Sequence, residues 1–265
     1  MVQISGDWGF KNRFSRIIKP KSGRCVMLAI DHGYFGNVPG QLKCFEEMSP
    51  LFKYADALML TRGMLRNCVP SEVEAPIVLR VSAGASMLKE LSNEEINVSI
   101  EDAIRLNVSA ITCSIFVGGE YEKQTLMNLS KLVNEGNTYG IPTLAVTAVW
   151  REMVRDARYL GMASRMAAEM GATFVKTYYC DNFEEVTSIC PAPIVIAGGK
   201  KIEERDALQM AKNAIDANAV GVDMGRNIFQ SDRPIGMIQA VRAIVHENAS
   251  VDEAFEIYKN GPVGL

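Results

Sequence analysis

The stretch "RDARYLGMASRMAAEMGATFVKTYY", residues 155–179, decides the fold of this chain. Its first part places Met162, Met166 and Met170 at steps of four residues, a spacing typical of the core-packing face of a helix. Gly171 then ends the helical pattern. The second part, "ATFVKT", is a continuous apolar run with one lysine, as expected of a parallel strand that is covered on both faces. The stretch therefore predicts a helix followed by a buried strand.

The same alternation of buried strand and amphipathic helix continues along the chain without a linker or a break in composition. Eight strands are predicted: Cys25–Asp31, Asp56–Leu60, Ile77–Val81, Val108–Ile115, Ile141–Thr147, Ala172–Thr177, Pro193–Gly198 and Val220–Gly225. We therefore predict an α/β chain that forms one (β/α)8 TIM barrel domain over residues 1–265. A doubly wound sheet is the alternative, and it fits less well because no G-x-G-x-x-G follows the first strand.

A short helical extension is predicted before the first strand. The segment "DWGFKNRFSRIIKP", residues 7–20, carries apolar Phe10, Phe14, Ile17 and Ile18. Such a helix suits either a plug on the floor of the barrel or a contact between subunits.

Composition excludes several classes of protein. The formal net charge is −3, and no block of lysine and arginine is present, so we expect no nucleic-acid partner. No apolar run reaches membrane-spanning length and no signal peptide is visible, so we expect a cytoplasmic protein without a membrane partner. Six cysteines lack a C-x-x-C pair, and neither of the two histidines has metal-ligand spacing to them. We expect reduced thiols and no metal site.

Glycine-rich turns follow the seventh and eighth predicted strands, where a TIM barrel usually binds phosphate. "IAGGKK" places Gly198, Gly199 and Lys200 after the seventh strand, and "MGRNIF" places Gly225 and Arg226 after the eighth. Glycines let backbone N–H groups approach an anion closely, and arginine adds a charge-assisted contact. Tight strand-to-helix turns without a ligand are the alternative. Two such turns at adjacent positions favour a phosphorylated small-molecule substrate.

Lys176 lies near the end of the sixth predicted strand, among apolar and aromatic neighbours. A lysine that extends its head to water at the barrel mouth is the simplest interpretation. Desolvation, with cations such as Arg80 or Lys200 nearby, would instead lower its pKa. A neutral amine can attack a carbonyl to form a Schiff base. Lys176 is therefore a candidate catalytic nucleophile.

Asp31 and His32 follow the first predicted strand. An aspartate that caps a helix and a packed histidine are one interpretation. The other is proton transfer by His32. Asp31 would then orient a substrate hydroxyl, protonate a carbinolamine or hold the imidazole in one tautomer. His246 lies in the last part of the chain, and we expect it at the surface or an interface, with no chemistry.

Five motifs together resemble the class I aldolase family that contains archaeal-type fructose-bisphosphate aldolase and the aminodideoxyheptulosonate synthases. They are "MLAIDHGYFG", "LMLTRGMLR", "VKTYY", "VIAGGKK" and "GVDMGRNIFQSD", and the likeness extends from about Asp7 to Lys259. The resemblance implies a (β/α)8 barrel in a homo-oligomer, often a decamer. It also implies a Schiff base at Lys176, with Asp31 and His32 beside it. Substrate phosphate is implied at Gly198, Gly199, Gly225 and Arg226.

One departure from the family concerns a catalytic tyrosine that usually follows the fifth strand. Here that stretch reads "VTAVWREMVRD", residues 146–156, without a tyrosine. This favours resemblance to the thiolase branch, which processes phosphorylated autoinducer-2 products such as 3-hydroxy-5-phosphonooxypentane-2,4-dione. Cleavage of fructose bisphosphate is the first alternative, and a non-catalytic phosphosugar-binding barrel is the second. Trp150, in the same stretch, is interpreted as a packing residue that could touch substrate.

The thiolase interpretation implies no bound cofactor and coenzyme A as a cosubstrate. Its phosphates could meet cations at the barrel rim, such as Lys200, Lys201 or Arg155. The roles of Arg62 and Arg80 stay open between substrate contact and charge balance inside the barrel.

Overall fold

Eight parallel strands close into a barrel in the computed structural model, which describes residues 5–36, 48–148 and 154–265. We number the barrel strands in chain order. They are β1 Cys25–Ala29, β2 Ala57–Thr61, β3 Ile77–Arg80, β4 Ala110–Ile115, β5 Thr143–Thr147, β6 Phe174–Tyr178, β7 Ile194–Ala197 and β8 Gly221–Met224. Each strand pairs in parallel with its sequence neighbours, and β8 pairs with β1. The TIM barrel prediction is confirmed, and its extent as one domain over residues 1–265 stays a prediction.

Helices connect the strands on the outside of the barrel. They are α1 Trp8–Ile17, α2 Ser49–Phe52, α3 Arg62–Cys68, α4 Ile100–Arg105, α5 Glu122–Tyr139, α6 Ala157–Glu169, α7 Phe183–Ile189, α8 Glu204–Asp216, α9 Arg226–Phe229, α10 Pro234–Glu247 and α11 Val251–Asn260. A 3-10 turn spans His32–Phe35, and a short antiparallel pair, Ser82–Ala83 with Glu95–Ile96, follows β3. Sequence patterns did not predict that pair, because two-residue strands are too short to show a periodicity.

Helix α1 plugs the N-terminal end of the barrel. Asp7 caps it by accepting a hydrogen bond of 2.8 Å from the backbone N–H of Phe10. The buried ring of Phe14 meets the ring of Phe174 edge-on, with centroids 5.7 Å apart. Phe174 is the first residue of β6, so the helix closes the floor below the strand that carries Lys176. This confirms the plug interpretation of the N-terminal extension.

The methionine spacing in α6 predicted its core-packing face only in part. Met166 and Met170 are partly buried and pack against the core, whereas Met162 is 46% exposed. The fully buried face instead carries Leu160 and the small residues of α6, Gly161, Ala163, Ser164 and Ala167. Small side chains let the helix backbone approach the barrel closely, so the longer methionines lie at the edge of that contact.

Within the described residues, no helix combines the length and the apolar character needed to cross a membrane.

Candidate active site

One cavity at the C-terminal mouth of the barrel is lined by the residues predicted to be catalytic or to bind phosphate. It has a volume of about 460 Å³. The predicted residues that line it are Asp31, His32, Arg80, Lys176, Gly198, Gly199, Lys200, Gly225 and Arg226. Residues from five different strand ends therefore meet around one space, as the barrel rule requires.

Lys176 is buried, with 8% of its surface exposed, and its side chain points into the barrel. Its Nζ lies 2.7 Å from Oδ2 of Asp223 on β8 and 3.7 Å from Sδ of Met59 on β2. Cations such as Arg80 or Lys200 were expected to act on the amine. The atom paired with it is instead a carboxylate oxygen of Asp223, a partner that the sequence did not predict.

Asp223 is fully buried, and only one of its two carboxylate oxygens is paired with a cation. Oδ2 is paired with Lys176, and no hydrogen-bond donor among the described residues reaches Oδ1. Burial raises the pKa of Asp223, and the positive charge of Lys176 lowers it only in part, so the net direction is upward. A carboxylate with a raised pKa, next to an ammonium group, is suited to accept a proton from it. One signal was available in the sequence, namely an acidic residue inside the otherwise apolar "VGVDMG".

Arg80 fixes the carboxylate of Asp31. Its Nε donates to Oδ2 of Asp31 at 3.1 Å, and its Nη1 donates to Oγ of Ser114 at 2.8 Å. Burial alone would raise the pKa of Asp31, but the charges of Arg80 and Lys176 outweigh it and lower that pKa. Asp31 is therefore ionised in the free protein. Arg80, whose role the sequence left open, balances charge and also lines the cavity.

Tyr34 supplies a phenol that the sequence analysis did not single out. The guanidinium of Arg80 lies 4.7 Å from the centre of its ring. Its hydroxyl is 3.5 Å from Oγ of Ser114. Burial raises the pKa of Tyr34, so the phenol keeps its proton; it hydrogen-bonds Glu94, and the residue lines the cavity.

His32 opens the 3-10 turn after β1, and its ring stands edge-on to Phe229 with centroids 6.0 Å apart. Its Nδ1 is buried without a hydrogen-bond partner among the described residues. Burial lowers the pKa of His32 to about 4; Lys176 and Arg226 add to the lowering, while Asp31 opposes it. The imidazole is therefore neutral at pH 7, the form that can accept a proton.

The two glycine turns pack against the end of β1 and against each other. A Cβ at Gly225 would lie 2.3 Å from the backbone oxygen of Ala29 and 2.7 Å from Cε1 of His32, so only glycine fits there. Asn227, which is 1% exposed, holds the other turn in place. Its Nδ2 donates to the backbone oxygen of Gly198 at 2.6 Å and to that of Lys200 at 3.1 Å. The sequence analysis missed this positioning role of Asn227.

Cations complete this side of the cavity. Nε of Arg226 is buried without a hydrogen-bond partner among the described residues, and burial lowers the pKa of its guanidinium. Lys200 is exposed at the rim, and Arg155 lies over the ring of Tyr178 at 3.8 Å. Lys201 is instead paired with Glu204 at 2.8 Å. Two glycine turns with a partly unsatisfied arginine form the arrangement that binds phosphate in barrels.

Three other predicted positions lie elsewhere. Nη1 of Arg62 pairs with Oδ2 of Asp102 at 3.1 Å, so it balances charge outside this cavity. Trp150 falls outside the described residues, as do residues 149–153 as a whole. His246, expected at the surface or an interface, is partly exposed and forms part of a hydrogen-bonded network at the opposite end of the barrel. Sequence patterns did not show its side-chain partners.

Among the described residues, no group of histidine, cysteine and acidic side chains is arranged to hold a metal ion.

Comparison with protein families identifies the family of this chain. Residues 25–231 match the family described as "DeoC/LacD family aldolase". The chain belongs to this family. The DeoC/LacD match spans every barrel strand and every cavity residue named above, and it confirms the class I aldolase resemblance seen in the motifs.

Individual relatives of this DeoC/LacD-family chain are similar over nearly its whole length. One is the 3-hydroxy-5-phosphonooxypentane-2,4-dione thiolase of Enterobacter sp. (strain 638), 55% identical, covering 97% of this chain and 88% of the relative. The protein of that name from Photorhabdus laumondii subsp. laumondii is 53% identical, over 95% and 87%. The crystal structure of an archaeal fructose 1,6-bisphosphate aldolase superimposes with a TM-score of 0.79 and 22% identity, covering 90% of this chain and 99% of that one. At 22% identity, this superposition shows that the two proteins share a fold.

Proposed function

We propose that this aldolase-family protein is a Schiff-base enzyme that cleaves 3-hydroxy-5-phosphonooxypentane-2,4-dione to dihydroxyacetone phosphate and acetyl-coenzyme A. One observation carries the proposal: the buried amine of Lys176 lines the same cavity as both glycine turns and Arg226. A phosphorylated ketone anchored at those turns would bring its carbonyl to the amine. The identity of 55% to a thiolase of that name supports the choice of substrate.

The first step is activation of Lys176. Asp223, with its Oδ2 at 2.7 Å and a raised pKa, takes one proton from the ammonium group. The neutral amine then attacks C4 of the dione, the ketone beside the phosphate-bearing carbon, and forms a carbinolamine. Protonation of its hydroxyl releases water and leaves an iminium. Asp31 and His32 line the cavity and relay that proton.

The second step breaks the carbon–carbon bond. The thiol of coenzyme A gives its proton to the neutral imidazole of His32, and the sulfur adds to C2 of the dione. The C2–C3 bond then breaks, and its electron pair moves into the iminium to give an enamine. His32 returns the proton to C3, and water hydrolyses the new iminium to free dihydroxyacetone phosphate and Lys176. The iminium is the electron sink, so the scheme uses no metal and no bound cofactor.

Aldol cleavage of fructose 1,6-bisphosphate is the rival reaction, and one observation favours testing it. Tyr34 places a protonated phenol in the cavity although residues 146–156 contain no tyrosine. A phenol of high pKa can move the proton that aldol cleavage needs. A barrel that binds phosphosugars without turnover is the remaining alternative.

A coupled assay with purified protein separates the three. We expect dihydroxyacetone phosphate and acetyl-coenzyme A from the phosphorylated dione plus coenzyme A, and no triose phosphate from fructose 1,6-bisphosphate. Triose phosphate from fructose 1,6-bisphosphate alone would establish the aldolase instead. Binding of either phosphate ester without any product would establish the non-catalytic barrel.

We also propose that the enzyme works in the cytoplasm as a homo-oligomer, possibly a decamer. The five described cysteines are free thiols, which suits a reducing compartment. Coenzyme A serves as a cosubstrate in this proposal.

A further inference from the structure

A second cavity adjoins the first at the mouth of the barrel. Its volume is about 590 Å³, within the range of about 300–1,000 Å³ that holds small molecules in proteins. Asp31, Tyr34 and Arg80 line both cavities, so their side chains form the wall between them. Helix α3 supplies another side through Arg62, Gly63 and its neighbours.

The position of the second cavity relative to the phosphate-binding turns determines which end of the substrate faces it. The turns follow β7 and β8, and Lys176 is on β6, whereas the second cavity lies at the ends of β1, β2 and β3. A substrate held by its phosphate and joined to Lys176 near that phosphate extends its other end away from β7. In the closed strand order, that end points toward the shared wall of Asp31, Tyr34 and Arg80.

Positive charge lies at the edge of the second cavity. Arg62 lines it, is 38% exposed, and shares Asp102 with Arg66 and Arg105. Glu101 lies near Arg105, so among these five described side chains three positive charges face two negative ones. Partly exposed guanidinium groups in such an excess bind phosphate groups through charge-assisted hydrogen bonds.

We propose that this second cavity binds the acyl acceptor, a thiol on a phosphorylated arm of the coenzyme A class. The arm fills the space beside α3, its phosphates bind Arg62 and Arg66, and its sulfur reaches the substrate past Tyr34. The inference rests on the proposed thiolase function and adds where the acceptor enters. It places the phosphates at α3 rather than at Lys200, Lys201 or Arg155.

The position of the second cavity agrees with the bonds that form and break in the acyl transfer. The thiol proton goes to His32, the sulfur bonds to the acyl carbon, and the bond to the phosphate-bearing fragment breaks toward the iminium at Lys176. The sulfur and the phosphate turns must therefore be on opposite sides of the reacting carbons. Two cavities with a common wall of Asp31, Tyr34 and Arg80 provide those two sides.

Two variants test the site without touching the residues of the first cavity. Gly63 lines the second cavity, and a Cβ there would meet no atom within 4 Å, so Gly63→Phe adds bulk at the wall of the cavity from a position with free space. We expect this variant to lose acetyl-coenzyme A formation while borohydride still traps the phosphorylated dione on Lys176. Arg66→Ala should raise the KM for coenzyme A by about tenfold. Its KM for pantetheine, a thiol without the nucleotide phosphates, should not change.

The matched control is Arg205→Ala, which removes an exposed arginine paired with Asp252 and should not change the KM for coenzyme A. An unchanged KM for coenzyme A in both Gly63→Phe and Arg66→Ala would overturn the acceptor site, as would a higher KM in Arg155→Ala alone. A wild-type protein that makes no acetyl-coenzyme A would instead overturn the proposed function, and the acceptor site with it.

Discussion

Each end of the barrel buries an aspartate among cations, but the two carboxylates differ in how completely they are bonded. At the N-terminal end, Asp56 accepts hydrogen bonds from the backbone N–H of Val26 at 2.7 Å and from Arg242 at 3.0 Å, and His246 Nε2 lies 2.7 Å away. At the mouth, Asp223 is paired through Oδ2 with Lys176, and Oδ1 lacks a donor among the described residues. The first carboxylate is fully satisfied and the second is not.

The pKa directions follow from that difference. Burial pushes the pKa of both aspartates upward. At Asp56 the hydrogen bonds outweigh burial and the pKa falls, whereas at Asp223 burial prevails and the pKa rises. A carboxylate that keeps its charge stabilises structure, and one that is ready to take a proton is suited to chemistry. Asp56 and Asp223 are both buried aspartates, so residue type and burial do not distinguish their roles, but the directions of their pKa shifts do.

The largest expected effect concerns Asp223. Asp223→Asn removes the proton acceptor beside Lys176 but keeps the shape of the side chain. We expect kcat to fall by about 10²–10⁴-fold, the usual contribution of a general base. The rate at which borohydride traps substrate should fall in parallel. Asp56→Asn is the matched control at the other end, and its turnover should equal that of the wild type. Equal losses in the two variants would refute the distinction between the two ends.

The second prediction concerns the stability provided by Asp56. Asp56→Ala leaves Arg242 and His246 without their buried partner, and it should lower the free energy of unfolding by roughly 3–5 kcal/mol. Urea denaturation measures this. Asp252→Ala, which breaks an exposed pair with Arg205, should change it by no more than about 1 kcal/mol. If Asp56→Ala lowers the free energy of unfolding by no more than Asp252→Ala does, the contacts of Asp56 with Arg242 and His246 do not stabilise the fold.

The third prediction concerns the pH dependence of stability at His32. Its folded pKa of about 4 lies below the ordinary value of 6.5, so between these values the unfolded chain binds a proton that the folded chain does not. Stability attributable to His32 is therefore present above pH 6.5 and is lost as the pH falls to 4, by on the order of 3 kcal/mol. Unfolding curves of the wild type and His32→Asn measure the difference. Parallel pH profiles of the two proteins would contradict a lowered pKa.

The smallest expected effect concerns Arg226. Arg226→Ala removes one charge-assisted contact to the substrate phosphate, and KM for the phosphorylated dione should rise by about 10- to 100-fold. The thermal midpoint should not change, because Nε of Arg226 has no hydrogen-bond partner among the described residues. Arg233→Ala, an arginine outside the cavity, serves as the control for KM. A KM that stays constant in Arg226→Ala would remove this residue from the phosphate site.

Local patterns predicted the barrel because each strand is a continuous apolar run that can be recognised by itself. They also predicted the nine residues around the cavity, since strand ends of a barrel converge at one face whatever the details of packing. Asp223 was missed because its significance comes from a partner on another strand. Tyr34 was missed because it belongs to a turn, where no strand-end rule applies. Met162 of α6 was misplaced because spacing alone does not distinguish the face with long side chains from the face with small ones.

The central claim is that Lys176 forms the covalent bond to substrate, and borohydride reduction followed by peptide mass spectrometry tests it most directly. With the phosphorylated dione present, we predict one reduced adduct, on the peptide that contains Lys176, and none in Lys176→Arg. A wild-type enzyme that turns over its substrate while Lys176 stays unmodified would contradict the account.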